Sequence, residues 1–264
     1  MYPYVLESWV GDFALIPTYG LLLAMAYTVA YIETLRRAIS MKMDPKIVER
    51  LFLIVVISSL AGARLFHVVI EELSYYRHNP ADVLAVWEGG FTFYGGLLFS
   101  IGCIYAYTRY KKYSFAGLLD LMAPSAMLGS AIGRLGCLAA GCCWGHSTKM
   151  PWGITYTHLQ TMSGMRYVPV HPVQLYESVG AFAIYWSLRP LFHKSSPLGS
   201  IALRALTYYA TLRFFVEFFR GDEYRGFVLG GYLSVSQLIS LGILVFCTVL
   251  HNRRPKLEPR SAPL

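Results

Sequence analysis

Charged residues are scarce in this chain. Only 14% of its 264 residues are Asp, Glu, Lys or Arg, while 55% are hydrophobic and the mean hydropathy is +0.45. A soluble domain usually carries about 25% charged residues, so there is too little polar surface here to dissolve a chain of this length. The apolar residues come in long spans rather than at amphipathic spacing, which argues against an unusually apolar soluble domain. A basic start is missing too. Met1 to Asp12 carries acids but neither Lys nor Arg, so the first apolar span is read as retained in the protein rather than as a cleaved signal. Cysteine is sparse and odd in number. The five, at 103, 137, 142, 143 and 247, exclude a fully paired disulfide framework. No Cys-x-x-Cys pair is present, which argues against a membrane thiol oxidoreductase. Internal repeats and low-complexity tracts are also lacking.

What is present is a series of apolar runs. A bilayer core of roughly 30 Å needs about 20 apolar residues per helix, and seven stretches qualify: 15–35, 51–73, 90–108, 115–137, 173–192, 198–219 and 230–250. The expected fold is an all-α integral membrane protein of about seven transmembrane helices. Residues 1–250 form one polytopic domain and 251–264 a basic tail. Gly95, Gly96, Gly129 and Ser130 in the third and fourth runs allow close helix approach in lipid. A long polar connection, 138–170, is a candidate functional loop.

Basic residues set the orientation. Arg36, Arg37, Lys42, Lys46 and Arg50 lie between runs one and two, and Arg109, Lys111 and Lys112 follow run three. Arg189 and Lys194 follow run five, and Arg253, Arg254, Lys256 and Arg260 follow run seven. These are more than half of the 23 lysines and arginines, all on one side of a seven-span arrangement. The positive-inside rule makes that side cytoplasmic and the N-terminus external. Much of the net charge of +8 is therefore a topology signal, and no nucleic-acid partner is required.

Charge within a span costs at least about 2.5–3.5 kcal/mol per residue on insertion scales. Arg64, Arg134, Glu177, Arg213, Glu217 and Arg220 all lie in or at the edges of spans, toward the outer face. Arg213, Glu217 and Arg220 share one helical stripe at i, i+4 and i+7. Arg213 with Glu217 reads as a structural ion pair, and Arg64 as a snorkelling side chain. Taken together, several guanidiniums near one headgroup layer suggest a pocket for the phosphate of an anionic phospholipid, because the planar fork suits a phosphodiester. They would also stabilise charge growing on a phosphate leaving group.

Gly133-Arg134-Leu135-Gly136 with Gly141 and Trp144-Gly145 resembles the signature of the prolipoprotein diacylglyceryl transferase family. Further matches follow in that family's order: Tyr19-Gly20, Trp87-Glu88-Gly89-Gly90, Phe93-Tyr94-Gly95-Gly96, His171-Pro172-Val173-Gln174-Leu175-Tyr176-Glu177, the stretch Arg213 to Arg220, and Ser234-Val235-Ser236-Gln237. The resemblance covers nearly the whole chain. It implies a multi-pass enzyme of the bacterial inner membrane. Such an enzyme moves the diacylglyceryl group of phosphatidylglycerol onto the lipobox cysteine of a prolipoprotein signal peptide and releases glycerol phosphate. By the resemblance Arg134 and Arg213 contact the phosphate, while Tyr19, Gly145, Glu177 and Glu217 shape and brace the pocket; Arg64 and Arg220, from the convergence of guanidiniums, are further candidates for the lipid site. No metal and no organic cofactor is implied.

The chain departs from the family pattern at the centre of the signature. Cys137 stands where Asn is usual, Cys142 where Glu is common, and Tyr94 where many members have His. Tyr94 and His171 are then the candidates for taking the proton from the incoming thiol, with His146 a weaker one. For Cys137, Cys142 and Cys143 three readings stay open: compact packing, a disulfide from Cys137 to Cys142 or Cys143, or a functional thiol or metal site that includes His146. C-x4-C-C-x2-H is not a standard zinc pattern. Other functions consistent with the sequence are a relative with a different acceptor, a non-catalytic anionic-lipid binder, or a transporter. The last would favour broken helices and a midplane site. Reporter fusions at Leu264 and within 138–170 are expected to read cytoplasmic and periplasmic respectively; a periplasmic signal from Leu264 would invert the orientation.

Overall fold

The computed structural model describes residues 18–85, 89–156, 167–193, 197–221, 226–228 and 232–253. Seven long helices dominate them. They are α1 (Thr18–Ser40), α2 (Pro45–Phe66, continued by a π turn His67–Glu71), α4 (Phe93–Lys111), α5 (Phe115–Ala140), α6 (Val173–Leu188), α7 (Ser200–Val216) and α8 (Val235–Arg253). A short α3 (Leu73–His78) follows the π turn. Two antiparallel pairs complete the elements: β1 (Ile154–Thr155) with β2 (Pro169–Val170), and β3 (Phe227–Val228) with β4 (Leu233–Ser234).

Each apolar run of the sequence contains a helix, but the helices overrun the runs at their basic ends. α1 continues to Ser40, α2 begins at Pro45, α4 ends at Lys111 and α8 at Arg253. Lysine and arginine keep their stems along apolar surface while the head reaches water, so the first charge ends the apolar run and not the helix. Among the described residues three helices are long and apolar enough to cross a membrane: Pro45–Glu71 (27 residues), Phe115–Ala140 (26) and Val235–Arg253 (19). α6 and α7, with 16 and 17 residues, are shorter, because a 3-10 turn follows each: Arg189–His193 after α6 and Glu217–Phe219 after α7. Trp87, Glu88, Lys194 and the tail beyond Arg253 lie outside the described residues.

The chain divides into two compact units, one from residues 1–33 and 119–263, the other from 34–118. The smaller unit is held by α2 against α4. A Cβ added at Gly62 would lie 2.7 Å from the Gly95 carbonyl oxygen, and one at Gly95 would lie 2.6 Å from that of Gly62. Only glycine at both positions lets the backbones approach this closely. Arg64 holds the connection beyond α3. Its Nε donates to Val83 O (3.1 Å), and its terminal nitrogens donate to the carbonyls of Asp82, Ala85, Gly89 and Gly90.

In the larger unit Ile184, Leu188, Ile201 and Ala205 form a core between α6 and α7, with Met127 of α5 packed on it. Asp120, fully buried, accepts from the backbone N–H of Gly199 (2.7 Å) and Ala202 (2.8 Å). It thereby satisfies donors at the start of α7 that no helical carbonyl can reach. Ser178 Oγ donates to Ala131 O (2.8 Å), tying α6 to α5.

Large apolar side chains are exposed on several helices, while a few charged and amide side chains are buried. Leu53, Ile57 and Leu60 form one exposed stripe on α2; Val179 and Trp186 on α6, Phe215 on α7 and Val245 on α8 are also exposed. Asp120, Gln174, Glu177, Glu217 and Gln237 are buried. Exposed apolar stripes on successive helices suit a lipid solvent. Gly95→Val is expected to lower the melting temperature in detergent sharply, since overpacking costs about 1–3 kcal/mol. Gly102→Ala on the same helix, where an added Cβ meets nothing within 4 Å, should be close to neutral. Equal shifts for the two variants would contradict this packing.

Candidate active site

Three helices bring charge together inside the larger unit. Arg134 lies six residues before the end of α5, Glu177 one turn into α6, and Arg213 in the last turn of α7. Glu177, 1% exposed, receives both guanidiniums: Arg134 through Nε and Arg213 through Nη1. Arg213 Nη2 reaches Glu217 Oε2 at 3.1 Å, and Arg220 approaches the same oxygen at 4.0 Å. Glu217 Oε1 accepts from Ser234 Oγ (2.8 Å), whose own backbone N–H donates to Gln237 Oε1 (3.0 Å). Glu217 is therefore also held from β4, through Ser234, which Gln237 of α8 braces in turn. Isolated, each carboxylate would be costly to bury; here each is paired and hydrogen-bonded.

A backbone seam lies beside these charges. Gly145 N–H donates to His171 O (3.1 Å), His171 N–H to His146 O (2.9 Å), and His146 N–H to Phe219 O (2.8 Å). Gly221 N–H donates to Trp144 O (3.1 Å), and Gly145 pairs with Arg220 as an isolated bridge. A Cβ at Gly145 would sit 2.6 Å from each of His171 Cβ, His171 O and Phe219 O. Any side chain there would push apart the segments that carry His171 and Arg220. His171 Nδ1 is 3.1 Å from the Tyr176 hydroxyl, which accepts from Trp152 Nε1 (2.8 Å), and its ring meets Phe219 edge-on.

The structure thus joins Arg134, Glu177, Arg213, Glu217 and Arg220 in one network. His171 and Gly145 are bound into the seam that includes Arg220. Tyr19, at the start of α1 and 42% exposed, packs against Gly136, where an added Cβ would lie 3.3 Å from its ring. Arg64 and Tyr94 belong to the smaller unit. Arg64 is engaged with loop carbonyls, and Tyr94 is half-exposed with its ring edge-on to Phe93. His146 takes part through its backbone while its side chain is exposed.

All five cysteines are free. The Sγ atoms of Cys137, Cys142 and Cys143 lie within 4.8 Å of one another, and His146 is not part of that group. The thiols of Cys137 and Cys142 hydrogen-bond to Cys143 and hold it below the usual thiol range, helped by the Arg220 and Arg134 guanidiniums. Burial pushes the Tyr156 phenol up to about 12, so it stays a protonated partner for Gln174, whose Nε2 donates to it at 3.0 Å and to Cys142 O at 2.6 Å. Gln174 and Asp120 escaped the sequence reading. Asp120 carried the same signal as the arginines, a charge inside an apolar run, whereas Gln174 appeared only as one letter of a motif.

Removing one partner from a buried charge cluster costs about 3–5 kcal/mol. Glu177→Ala should therefore destabilise the protein in detergent far more than Glu49→Ala on the exposed face of α2. Comparable melting temperatures for the two variants would mean that Glu177 does not organise the arginines.

Comparison with known proteins places these residues in a family. A profile described as prolipoprotein diacylglyceryl transferase matches residues 9–252. Proteins named phosphatidylglycerol–prolipoprotein diacylglyceryl transferase resemble the chain along most of its length. The one from Geobacter sulfurreducens is 34% identical over 244 residues, covering 89% of this chain and 91% of its own. That from Bordetella avium is 32% identical over 254 residues, covering 91% and 92%. That from Finegoldia magna is 30% identical over 239 residues, covering 90% and 91%. With a buried arginine–carboxylate network in a helical protein that exposes large apolar side chains, and a match over nearly its full length, this chain belongs to the prolipoprotein diacylglyceryl transferase family, a family of bacterial membrane enzymes.

Proposed function

We propose that this chain transfers the diacylglyceryl group of phosphatidylglycerol to the lipobox cysteine of a prolipoprotein, in the bacterial inner membrane. The observation that supports it most is the pair of guanidiniums, Arg134 and Arg213, held on the single buried carboxylate of Glu177. Each guanidinium has five N–H donors, so engagement with a carboxylate is compatible with contact to a phosphate. Glu177 and Glu217 keep the forks aligned before the lipid arrives, which reduces the reorganisation needed on binding. Tyr19 and the seam at Gly145 line the same region; Arg64 supports the smaller unit through its loop.

In the reaction the thiolate sulfur attacks the glyceryl carbon esterified to phosphate. A carbon–sulfur bond forms, the carbon–oxygen bond breaks, and the electron pair leaves with glycerol phosphate. The phosphate charge grows from one toward two negative units, so the arginines bind the transition state more strongly than the ground state. Before attack the thiol must lose its proton. His171 is the preferred acceptor, with Nδ1–H donating to the Tyr176 hydroxyl and Nε2 available to the proton; Tyr94 is the second candidate. Nucleophile and leaving group both come from the substrates, so no electron carrier enters the balance. On this reading the chain has seven spans with the N-terminus periplasmic, the C-terminus cytoplasmic and the site toward the outer leaflet, which the alternation of basic residues between loops supports.

In vesicles containing phosphatidylglycerol and a lipobox peptide, Arg134→Ala or Arg213→Ala is expected to lower transfer by about 100-fold or more. Lysine at either position should rescue little, because a point charge does not reproduce the fork. Near-normal transfer by both alanine variants at normal insertion would overturn the phosphate-site reading.

A further inference from the structure

Helix α5 ends at Ala140, and the chain reverses within three residues. Gly141 and Cys143 both adopt left-handed backbone, with φ of 71° and 60°. Gly141 N–H donates to Leu138 O (3.2 Å) and Cys142 N–H to Cys137 O (3.1 Å). That reversal folds Cys142 and Cys143 back over Cys137 and gathers the three sulfurs within 4.8 Å. Left-handed backbone is unfavourable for a residue with a Cβ.

A closed-shell thiophilic cation binds thiolates at about 2.3 Å, which sets sulfurs about 4 Å apart in a three-sulfur arrangement. The observed cluster needs only a modest contraction to meet that spacing. All three cysteines are part-buried, so an ion can enter from solvent while most of the site stays shielded. Three thiolates around one divalent cation carry one net negative charge. The guanidiniums of Arg134 and Arg220, which act electrostatically on Cys143, offset it. The carbonyl end of α5 is also the negative end of the helix dipole, which favours a cation.

We propose that Cys137, Cys142 and Cys143 form a three-thiolate site for a thiophilic divalent cation of the zinc and cadmium class. On binding, three sulfur–metal bonds form, the protons still carried by the thiols pass to water, and no electron moves. Water completes the coordination. The bound ion ties the end of α5, which carries Arg134, to the turn that leads into Trp144 and Gly145. This role is independent of the transfer step, since the substrate brings its own sulfur.

The full-length reduced protein in detergent, titrated with cadmium against a competing chelator, should bind one equivalent and develop sulfur-to-metal ultraviolet absorbance. Each of Cys137→Ser, Cys142→Ser and Cys143→Ser should lose about a third of that absorbance, one thiolate of three, and bind at least about tenfold more weakly. Cys103→Ser should bind as the unaltered protein does. Zinc should shield Cys137, Cys142 and Cys143 of the unaltered protein from alkylation, read by mass spectrometry, and raise its melting temperature by linkage. The proposal is overturned by equal binding to the triple serine variant, by absence of both absorbance and alkylation protection, or by an oxidised pair among these cysteines in protein alkylated directly in cells.

Discussion

The architecture of the larger unit depends on the burial of one carboxylate, Glu177, between two arginines. A charge removed from water is tolerated only when paired and hydrogen-bonded. The partners of Glu177 come from α5 and α7, on either side of it in the sequence. The requirement extends outward. Arg213 needs Glu217, Glu217 needs Ser234, and Ser234 is positioned by Gln237 at the start of α8. One ion cluster thus sets the register of four helices. The same helices turn Val179, Phe215 and Val245 outward, so buried charges are combined with an apolar exterior. A bilayer stabilises that arrangement where water would not.

Around this cluster the fold builds with backbone rather than side chains. The Gly145–His171 and His146–Phe219 hydrogen bonds join the turn after α5 to the start of α6 and the end of α7. Backbone can approach so closely because Gly145 and Gly221 lack side chains; a Cβ at Gly221 would lie 2.6 Å from Gly145 O. The ends of three helices are thereby held together beside the arginines.

Much of this was legible in the sequence, because lipid leaves a strong signal: long apolar runs and a few charges that ask for a reason. The Arg213–Glu217 pair followed from helical spacing alone. The bond from Arg134 to Glu177 did not, since it joins helices 43 residues apart in sequence and no local period encodes it. Arg64 was ambiguous for a physical reason. A guanidinium in an apolar run can be satisfied by a phosphate or by carbonyls, and this one meets the carbonyls of Asp82, Val83 and Ala85. Helix ends lay beyond the apolar runs because basic side chains reach outward from a helix that continues beneath them. The convergence of Cys137, Cys142 and Cys143 was hidden by their spacing. It depends on left-handed backbone at Gly141 and Cys143, which a linear pattern does not display.

The central claim is that the arginine–carboxylate network serves lipid transfer to lipoprotein cysteines. Its most direct measurement is complementation. A bacterial host depleted of its own prolipoprotein diacylglyceryl transferase and supplied with this chain should resume growth, and its lipoproteins should carry the diacylglyceryl thioether by mass spectrometry. Stable insertion of the chain in the membrane while the host's prolipoproteins stay unmodified would contradict the account.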